Sequence, residues 1–235
     1  MKVLVIIPAY NEADNIVAVA ESVAMAGFDH LVINDGSTDS TLETCRLHGL
    51  NVLDLKINLG IGGAVQAGHK YAFKHGYDID IQFDGDGQHD ASYLPALIAA
   101  IESGADLAIG SRFLEKTDGF QSSALRRVGI RWLSFWIKAF TRTRTTDPTS
   151  GFRACSRNAI RLFCSQYPTD YPEPESIVTA IKHGLSVAEV PVIMHERQSG
   201  SSSIRALGSL YYMVKVSLAI AILGLSSRKR SSEAE

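Results

Sequence analysis

Residues 79–89, Ile-Asp-Ile-Gln-Phe-Asp-Gly-Asp-Gly-Gln-His, decide the fold that this sequence predicts. The run over 79–83 predicts a buried strand, and Asp84 and Asp86 follow directly at its carboxyl end. Two carboxylates separated by one glycine bring hard oxygen ligands to one divalent cation, and Gln88 adds an amide oxygen. Oxygen-only ligands favour Mg²⁺ or Mn²⁺ over zinc, and such a metal commonly shares its coordination shell with substrate phosphates.

Strands and helices alternate on both sides of this stretch, which predicts an α/β fold. The predicted strands of the first half are 3–7, 30–34, 51–55, 79–83 and 106–110, and helices are predicted near 13–25, 39–48, 60–75 and 91–103. This spacing implies a mostly parallel central sheet with helices on both faces. Ligands of such sheets bind at the carboxyl ends of the strands, where the polar motifs of this chain fall.

The second half is less regular. Helices are predicted near 122–140, 157–164 and up to His183, a loop near 147–151, and a strand near 187–194. From Leu207 to Leu225 there is one charge, Lys215, and the charge-free part is shorter than the ~20 residues that span a bilayer. With the basic residues 228–230 behind it, this segment predicts an amphipathic, apolar C-terminal helix lying in a membrane interface. Packing on the domain, on a second copy or on a small membrane protein is an equal alternative.

Charge is divided unevenly along the 235 residues, whose formal net charge is −2. There are 15 acidic and 5 basic residues up to Gly110, then 10 acidic and 18 basic residues, which gives −10 and +8. Because a nucleic-acid module usually has a high pI and a basic stripe, the composition argues against nucleic acid as a partner. It favours a hard cation near the acidic half and a phosphate near the basic half.

Targeting and redox signals are weak. The three cysteines lack CxxC spacing, so the sequence supports neither a disulfide framework nor a zinc site. The five apolar residues 3–7 are too few for a signal-peptide core, which predicts a cytoplasmic protein. The glycine-rich stretch 60–68 fits neither a dinucleotide fingerprint nor a P-loop, although Gly63 allows close backbone approach to a ligand.

Three motifs that each end a predicted strand resemble the family-two glycosyltransferases of the GT-A fold, which use nucleotide-diphosphate sugars. They are Pro8-Ala-Tyr-Asn-Glu12, Asn34-Asp-Gly-Ser37 and Asp84-Gly-Asp86. Further stretches at 110–113, 147–153, 189–191 and 197–202 extend the likeness to the branch that resembles dolichol-phosphate mannosyltransferase and bacterial polyprenyl-phosphate glycosyltransferases. The resemblance implies one GT-A domain over 1–205, with a nucleotide-sugar half (1–110) and an acceptor half (111–205), before the 206–226 helix and the polar tail 227–235.

The resemblance also implies roles for individual residues. Those expected to bind the nucleotide are Pro8, Tyr10, Glu12, Asp35, Gly63 and Asp84, those expected to hold the Mg²⁺ or Mn²⁺ are Asp86 and Gln88, and those expected to act in catalysis are Asp84, Asp86, Arg112 and Arg197. The acceptor phosphate is expected at Arg112 with Arg126 or Arg127, since guanidinium groups match phosphate bidentately.

The implied activity is a metal-dependent, inverting transfer of a hexose or N-acetylhexosamine, UDP being the favoured nucleotide, to a polyprenyl phosphate at the inner face of the cell membrane. A lipid phosphate is already ionised, whereas a sugar hydroxyl needs a general base, for which Asp147, Glu173 and Glu175 are available. The alternatives are a polysaccharide glycosyltransferase with a hydroxyl acceptor, and a non-catalytic nucleotide-sugar-binding partner of a membrane protein.

Overall fold

The middle of the sheet is β4 (Ile79–Gln82), the strand that precedes the two aspartates. The strand order is β3-β2-β1-β4-β6-β5-β7. The other strands are β1 (Val3–Ala9), β2 (Asp29–Asp35), β3 (Val52–Leu55), β5 (Leu107–Ser111), β6 (Arg153–Ser156) and β7 (Val187–Pro191). All pairs are parallel except those that β6 makes with β4 and β5. This computed structural model describes residues 1–115, 124–195 and 206–225.

Helices cover both faces of the sheet. One layer contains α1 (Ile16–Met25), α2 (Thr41–Leu47) and α4 (Leu94–Glu102), and the other contains α3 (Gly60–Lys74), α5 (Ala124–Thr141), α6 (Arg157–Phe163), α7 (Pro172–Lys182) and α8 (Ala206–Leu225). Successive side chains of a strand point to opposite faces, so β1 contributes to two cores. Val5 and Ile7 pack against the first layer, while Leu4 and Ile6 pack against the second.

The predicted α/β architecture is confirmed, with one strand that the sequence did not indicate. No strand is predicted at β6, between the loop near 147–151 and the helix near 157–164, because Arg153-Ala-Cys-Ser156 has neither an apolar run nor a strong β propensity. The strand forms because it fills the gap between β4 and β5, where Gln82 pairs with Arg153 and Ile109 also pairs with Arg153. Tertiary pairing therefore overrides the local sequence at this position.

Element boundaries differ by a few residues from those predicted. α1 begins at Ile16 rather than near 13, because the Glu12 carbonyl accepts the Asn15 and Ile16 N–H groups in a preceding turn. α4 is preceded by a 3₁₀ turn over Ala91–Tyr93, capped by the Asp90 side chain. No helix in the described residues, α8 included, combines the length and hydropathy needed to cross a bilayer.

Candidate active site

The carboxyl ends of β2, β1 and β4 meet at one edge of the sheet. β1 lies between the other two strands, with Ala9 opposite Asn34 and Ile6 opposite Gln82. The loops after these strands carry the three motifs, so the fold brings all three together as predicted. Gly85, in the loop after β4, lies so close to β1 that a Cβ there would be 3.0 Å from the Pro8 carbonyl oxygen.

The loops after β1 and β2 are tied together by Asn11. Its side-chain oxygen accepts hydrogen bonds from the Thr38 and Asp39 N–H groups, at 2.8 and 3.3 Å. Its backbone has a positive φ of 56°, a conformation that asparagine tolerates better than most residues. Next to it, the Glu12 N–H donates to Thr41 Oγ1 at 2.9 Å, while Tyr10 is exposed at the rim. The backbone of the first motif is thus fixed, and its aromatic ring is accessible to a ligand.

Asp35 is buried beneath this edge. One of its carboxylate oxygens accepts the Leu59 N–H at 2.7 Å, so the residue also holds the loop that leads into α3. Burial raises the pKa of the Asp35 carboxyl above its usual value, and the hydrogen bonds from the Leu59 and Gly60 N–H groups offset only part of this effect. Gly36 is next, with a positive φ of 65° and a backbone so close to Asn58 that a side chain would clash. The predicted contact of Asp35 with base or ribose stays a prediction.

Asp84 is held in a fixed orientation at the end of β4. Its carboxylate accepts a hydrogen bond from Gln82 Nε2 at 3.1 Å, and its N–H donates to His89 Nδ1 at 3.0 Å. The Asp84 side chain is 33% exposed, so it faces the edge of the sheet. Gln82 was not predicted as a site residue, although the period of two along a strand places its side chain on the same face as that of Asp84.

Space beside Asp84 depends on Gly151. A Cβ at this position would lie 2.7 Å from Asp84 Oδ2 and 2.9 Å from Gln82 Nε2. Both distances are shorter than real Cβ contacts, so only glycine fits without displacing the carboxylate. Gly151 lies just before the antiparallel strand β6, and its role was invisible in the sequence because that strand was not predicted.

Asp86 and Gln88 complete the loop after β4. The Gln88 N–H donates to Asp86 Oδ1 at 3.1 Å, and the Gln88 amide lies 3.4 Å from the carbonyl of His195. The residues therefore offer two half-buried carboxylates and one amide at the edge of the sheet. This donor set fits Mg²⁺ or Mn²⁺, whose ligands are oxygens.

His89 supports the loop from below. It is buried, stacks on Phe152 and accepts the Asp84 N–H, so its Nδ1 is occupied. Burial lowers the pKa of His89 below its usual value. The charge of Arg112 acts in the same direction, and the charges of Asp84 and Asp86 oppose it only in part. A neutral imidazole is the form that can accept this N–H group.

Arg112 and Asp147 form a bidentate ion pair. Arg112 Nε and Nη2 donate to the two Asp147 oxygens at 2.6 and 2.8 Å, and the Asp147 side chain is fully buried. Glu189 on β7 fixes the same loop, because its carboxylate accepts the Thr146 and Asp147 N–H groups at 2.8 and 2.9 Å. The sequence proposed Asp147 as a base and Arg112 as a phosphate ligand, and the structure shows that each is already bonded to the other.

The other two candidate bases lie at the start of α7. Burial raises the pKa of Glu173, Arg153 lowers it, and the charge of Asp84 raises it further. Arg153 is itself buried and bonded to the Glu173 carbonyl, so α7 is anchored next to β6. Burial and the charge of Asp170 raise the pKa of Glu175, and Lys215 of α8 lowers it.

The structure says less about three other arginines that were expected at the site. Arg127 lies exposed in the first turns of α5. The side chain of Arg126 and the whole of Arg197 lie outside the described residues, as do the basic residues 228–230. Their roles stay predictions.

One polar cluster lies inside the second helical layer, away from the edge of the sheet. His69 Nδ1 and Asp80 Oδ2 are 2.7 Å apart and both residues are buried, with Cys155 close enough that potential ligand atoms of the three lie within 4.8 Å of one another. His69 and Asp80 already bond to each other, and the guanidinium of Arg153 borders the same small cavity. The cluster is thus explained as a hydrogen-bonded pair that fastens α3 to β4.

Comparison with known proteins gives a consistent result. The family model described as "Glycosyl transferase family 2" matches residues 4–163. The polyprenol monophosphomannose synthase of Mycolicibacterium smegmatis is 30% identical over 248 residues, covering 92% of this chain and 85% of that protein. A UDP-N-acetylglucosamine–dolichyl-phosphate N-acetylglucosaminyltransferase of Methanococcus voltae is 30% identical over 211 residues, covering 81% of this chain and 84% of that protein.

The fold is also similar to a solved structure. Glucosyl-3-phosphoglycerate synthase of Mycobacterium tuberculosis, solved with Mn²⁺, UDP and glucosyl-3-phosphoglycerate, superposes with a TM-score of 0.71. The match covers 95% of this chain and 79% of that chain at 19% sequence identity, and it shows a shared fold.

Proposed function

The chain belongs to glycosyl transferase family 2, and from this we propose that it transfers a hexose or N-acetylhexosamine from a nucleotide-diphosphate sugar to a polyprenyl phosphate at the cytoplasmic membrane surface. UDP is the favoured nucleotide. Relatives named as polyprenol monophosphomannose synthase, undecaprenyl-phosphate mannosyltransferase and N-acetylglucosaminyltransferase support the acceptor class, and the name of the last includes UDP.

The observation that carries the proposal is the arrangement around Asp84. Its carboxylate is oriented by Gln82, faces the space that Gly151 leaves open, and shares its loop with Asp86 and Gln88. Asp86 and Gln88, with Asp84 beside them, would hold a Mg²⁺ or Mn²⁺, which supplies positive charge where a departing diphosphate becomes more negative. A solvated surface turn would need neither the buried support from His89 nor the missing side chain at 151.

The protein residues define where each substrate lies. The nucleoside would contact the first motif through the exposed ring of Tyr10 and Glu12, and the second motif through Asp35. An oxygen of the acceptor phosphate would form the new bond to the anomeric carbon as the bond from that carbon to the diphosphate oxygen breaks. A direct displacement of this kind inverts the configuration. The phosphate is already ionised, so no side chain has to remove a proton.

The test is transfer by the purified full chain. UDP- and GDP-sugars labelled in the sugar would be incubated with undecaprenyl phosphate and Mg²⁺ or Mn²⁺, and the organic phase counted. We expect labelled lipid with at least one donor and none with the Asp86→Ala variant. If no donor gives labelled lipid while the folded protein still binds nucleotide sugar, the polyprenyl-phosphate acceptor is wrong.

A hydroxyl acceptor is the second candidate, and the environment of Glu173 favours it. A carboxyl whose pKa is raised by burial and by a neighbouring aspartate is better suited to accept a proton near neutral pH. If the acceptor is a sugar hydroxyl, Glu173→Gln or Glu175→Gln should abolish transfer and leave donor binding intact. If the acceptor is a lipid phosphate, both variants should keep most of their activity.

A further inference from the structure

The outer face of α5 is apolar, aromatic and exposed. Val128, Trp132 and Phe135 follow each other at i, i+4 and i+7, and their exposed fractions are 63%, 48% and 63%. Residues at this spacing form one stripe along a helix. The opposite side of α5 carries Ile130, Leu133 and Ile137, which are buried in the core. α5 therefore has two apolar sides, and the core uses only one of them.

A second exposed stripe lies on α8. It consists of Val214, Leu218, Ile222 and Leu225. The two helices run side by side in the same direction, since Gly129 contacts Met213, Trp132 Nε1 donates to Ser217 Oγ at 2.9 Å, and Phe140 contacts Gly224. Trp132 belongs to one stripe and bonds to the other helix, so the two stripes adjoin. We call these seven exposed residues of α5 and α8 the outer face.

The basic residues of α5 favour an anionic lipid surface over a second copy of the chain as the partner of the outer face. α5 contains four basic residues and no acidic one. Arg127, Arg131 and Lys138 are exposed along one flank of its stripe. A two-fold contact between copies through α5 would bring the basic flanks of both copies together, which repels. Anionic lipid headgroups would instead be attracted by roughly 1 kcal/mol for each basic side chain near the surface.

We propose that the outer face binds an anionic lipid bilayer, with Trp132 and Phe135 at the boundary of headgroups and acyl chains. The sequence assigned membrane contact to the C-terminal helix alone. The structure makes α5 the leading element, because a basic helix with exposed Trp and Phe has the composition of interfacial helices. The biological sense of this surface rests on the proposed function, since a polyprenyl phosphate acceptor is a membrane lipid.

The chain carries its own probe for this surface. Its two tryptophans, Trp132 and Trp136, are both on α5, and Trp136 stacks on Phe140 inside the helix pair. The full chain would be mixed with vesicles of phosphatidylcholine alone or with added phosphatidylglycerol. With the anionic vesicles we expect a blue shift of tryptophan emission, quenching by lipids brominated in the acyl chain, and co-sedimentation that weakens with salt. Unchanged emission together with no co-sedimentation would overturn the proposal.

Matched variants locate the surface. Val128→Glu with Phe135→Glu should weaken vesicle binding on the order of 100-fold, because two contacts with the acyl region are replaced by acids. Met25→Glu with Leu47→Glu is the control, since both side chains are at least as exposed but lie in the other helical layer. Equal binding by wild type and the α5 variant would exclude the outer face, as would a dimer in gel filtration that the α5 variant alone dissociates. Circular dichroism and thermal unfolding establish that both variants are folded.

One assay distinguishes the proposed membrane binding of the outer face from the proposed sugar transfer. With a short-chain, water-soluble polyprenyl phosphate and no vesicles, the α5 variant should transfer sugar as fast as the wild type. Absence of transfer by the wild type in this assay would count against the proposed function alone. Transfer in solution by a wild type that ignores anionic vesicles would count against the outer face alone.

Discussion

Arg112 donates two hydrogen bonds, at 2.6 and 2.8 Å, to a carboxylate of Asp147 that has no exposed surface. The positive charge of Arg112, which directly follows β5, compensates the buried negative charge of Asp147, which lies in the loop before β6. The two hydrogen bonds also hold the Arg112 side chain in one orientation. Breaking a buried pair from one side costs far more than an exposed pair contributes, because the remaining charge is left without a partner.

Arg112→Met should therefore destabilise the protein by about 3 kcal/mol. Urea unfolding would measure this, with Arg131→Met on the exposed flank of α5 as the control, for which a change below about 0.5 kcal/mol is expected. Equal effects of the two substitutions would mean that the buried pair contributes no special stability.

Asp86→Ala should remove activity and keep the fold. A carboxylate held near Asp84 repels it when no cation is bound, so thermal stability should stay the same or rise. Sugar transfer should fall on the order of 1,000-fold, since a bound metal stabilises the leaving diphosphate by several kcal/mol. Glu102→Ala, at the exposed end of α4, removes one acid away from the site and should change neither quantity. Normal turnover of the Asp86 variant would refute the metal role.

Gly151→Ala should separate catalysis from folding. The added methyl meets the Asp84 carboxylate at 2.7 Å and must push it aside, so we expect transfer to fall about 100-fold, as is typical when a reacting group is displaced by about 1 Å. Gly110→Ala is the control, because the atoms nearest to its methyl would be those of the Val192 and Phe152 side chains, at 3.1 to 3.3 Å. The Gly110 variant should lose stability and keep its affinity for UDP in the presence of Mn²⁺. The Gly151 variant should lose that affinity. Calorimetry would measure both.

The stability of the far end of the sheet should depend on Asp106 at acid pH. Burial raises the pKa of this carboxyl, but hydrogen bonds from Ser186, Ser156 and Asn158 outweigh it and hold the pKa below its usual 3.8. The stabilisation is therefore present above pH 3.8 and is lost as the pH falls through the lower, folded-state pKa. Asp106→Asn should cost about 1 kcal/mol at pH 7, and progressively less as the pH falls below 3.8. A difference in unfolding free energy that stays constant with pH would contradict this role.

Much of the fold follows from the sequence for a physical reason. Strands of a parallel sheet are buried on both faces and appear as continuous apolar runs, so β1 and β2 were recognisable. The position of Asp84 and Asp86 followed from the strand before them. β6 could not be predicted in this way, because its four residues are selected by the gap between β4 and β5 rather than by their own preference.

The site shows the same division. Loop residues that end strands were found from their order in the chain, since the topology places them at one edge. The partners of these residues were not predicted: Gln82 donates a hydrogen bond to Asp84, and Asp147 pairs with Arg112. Pairings of this kind join residues 35 positions apart in the second case, and no pattern along the chain encodes them.

The sheet cannot be completed during synthesis until the antiparallel strand β6 has been made, because β6 lies between β4 and β5. β1 to β4 can associate as soon as they leave the ribosome, since each has a neighbour within that segment. β5 emerges next, and its partners among the described strands, β6 and β7, are made later. Until residues 153–156 are made, the edge of β4 that β6 will cover is open, and β5 has no paired neighbour. Unpaired strand edges of this kind favour aggregation and misfolding. Translation speed between β5 and β6 is therefore expected to affect the yield of folded protein.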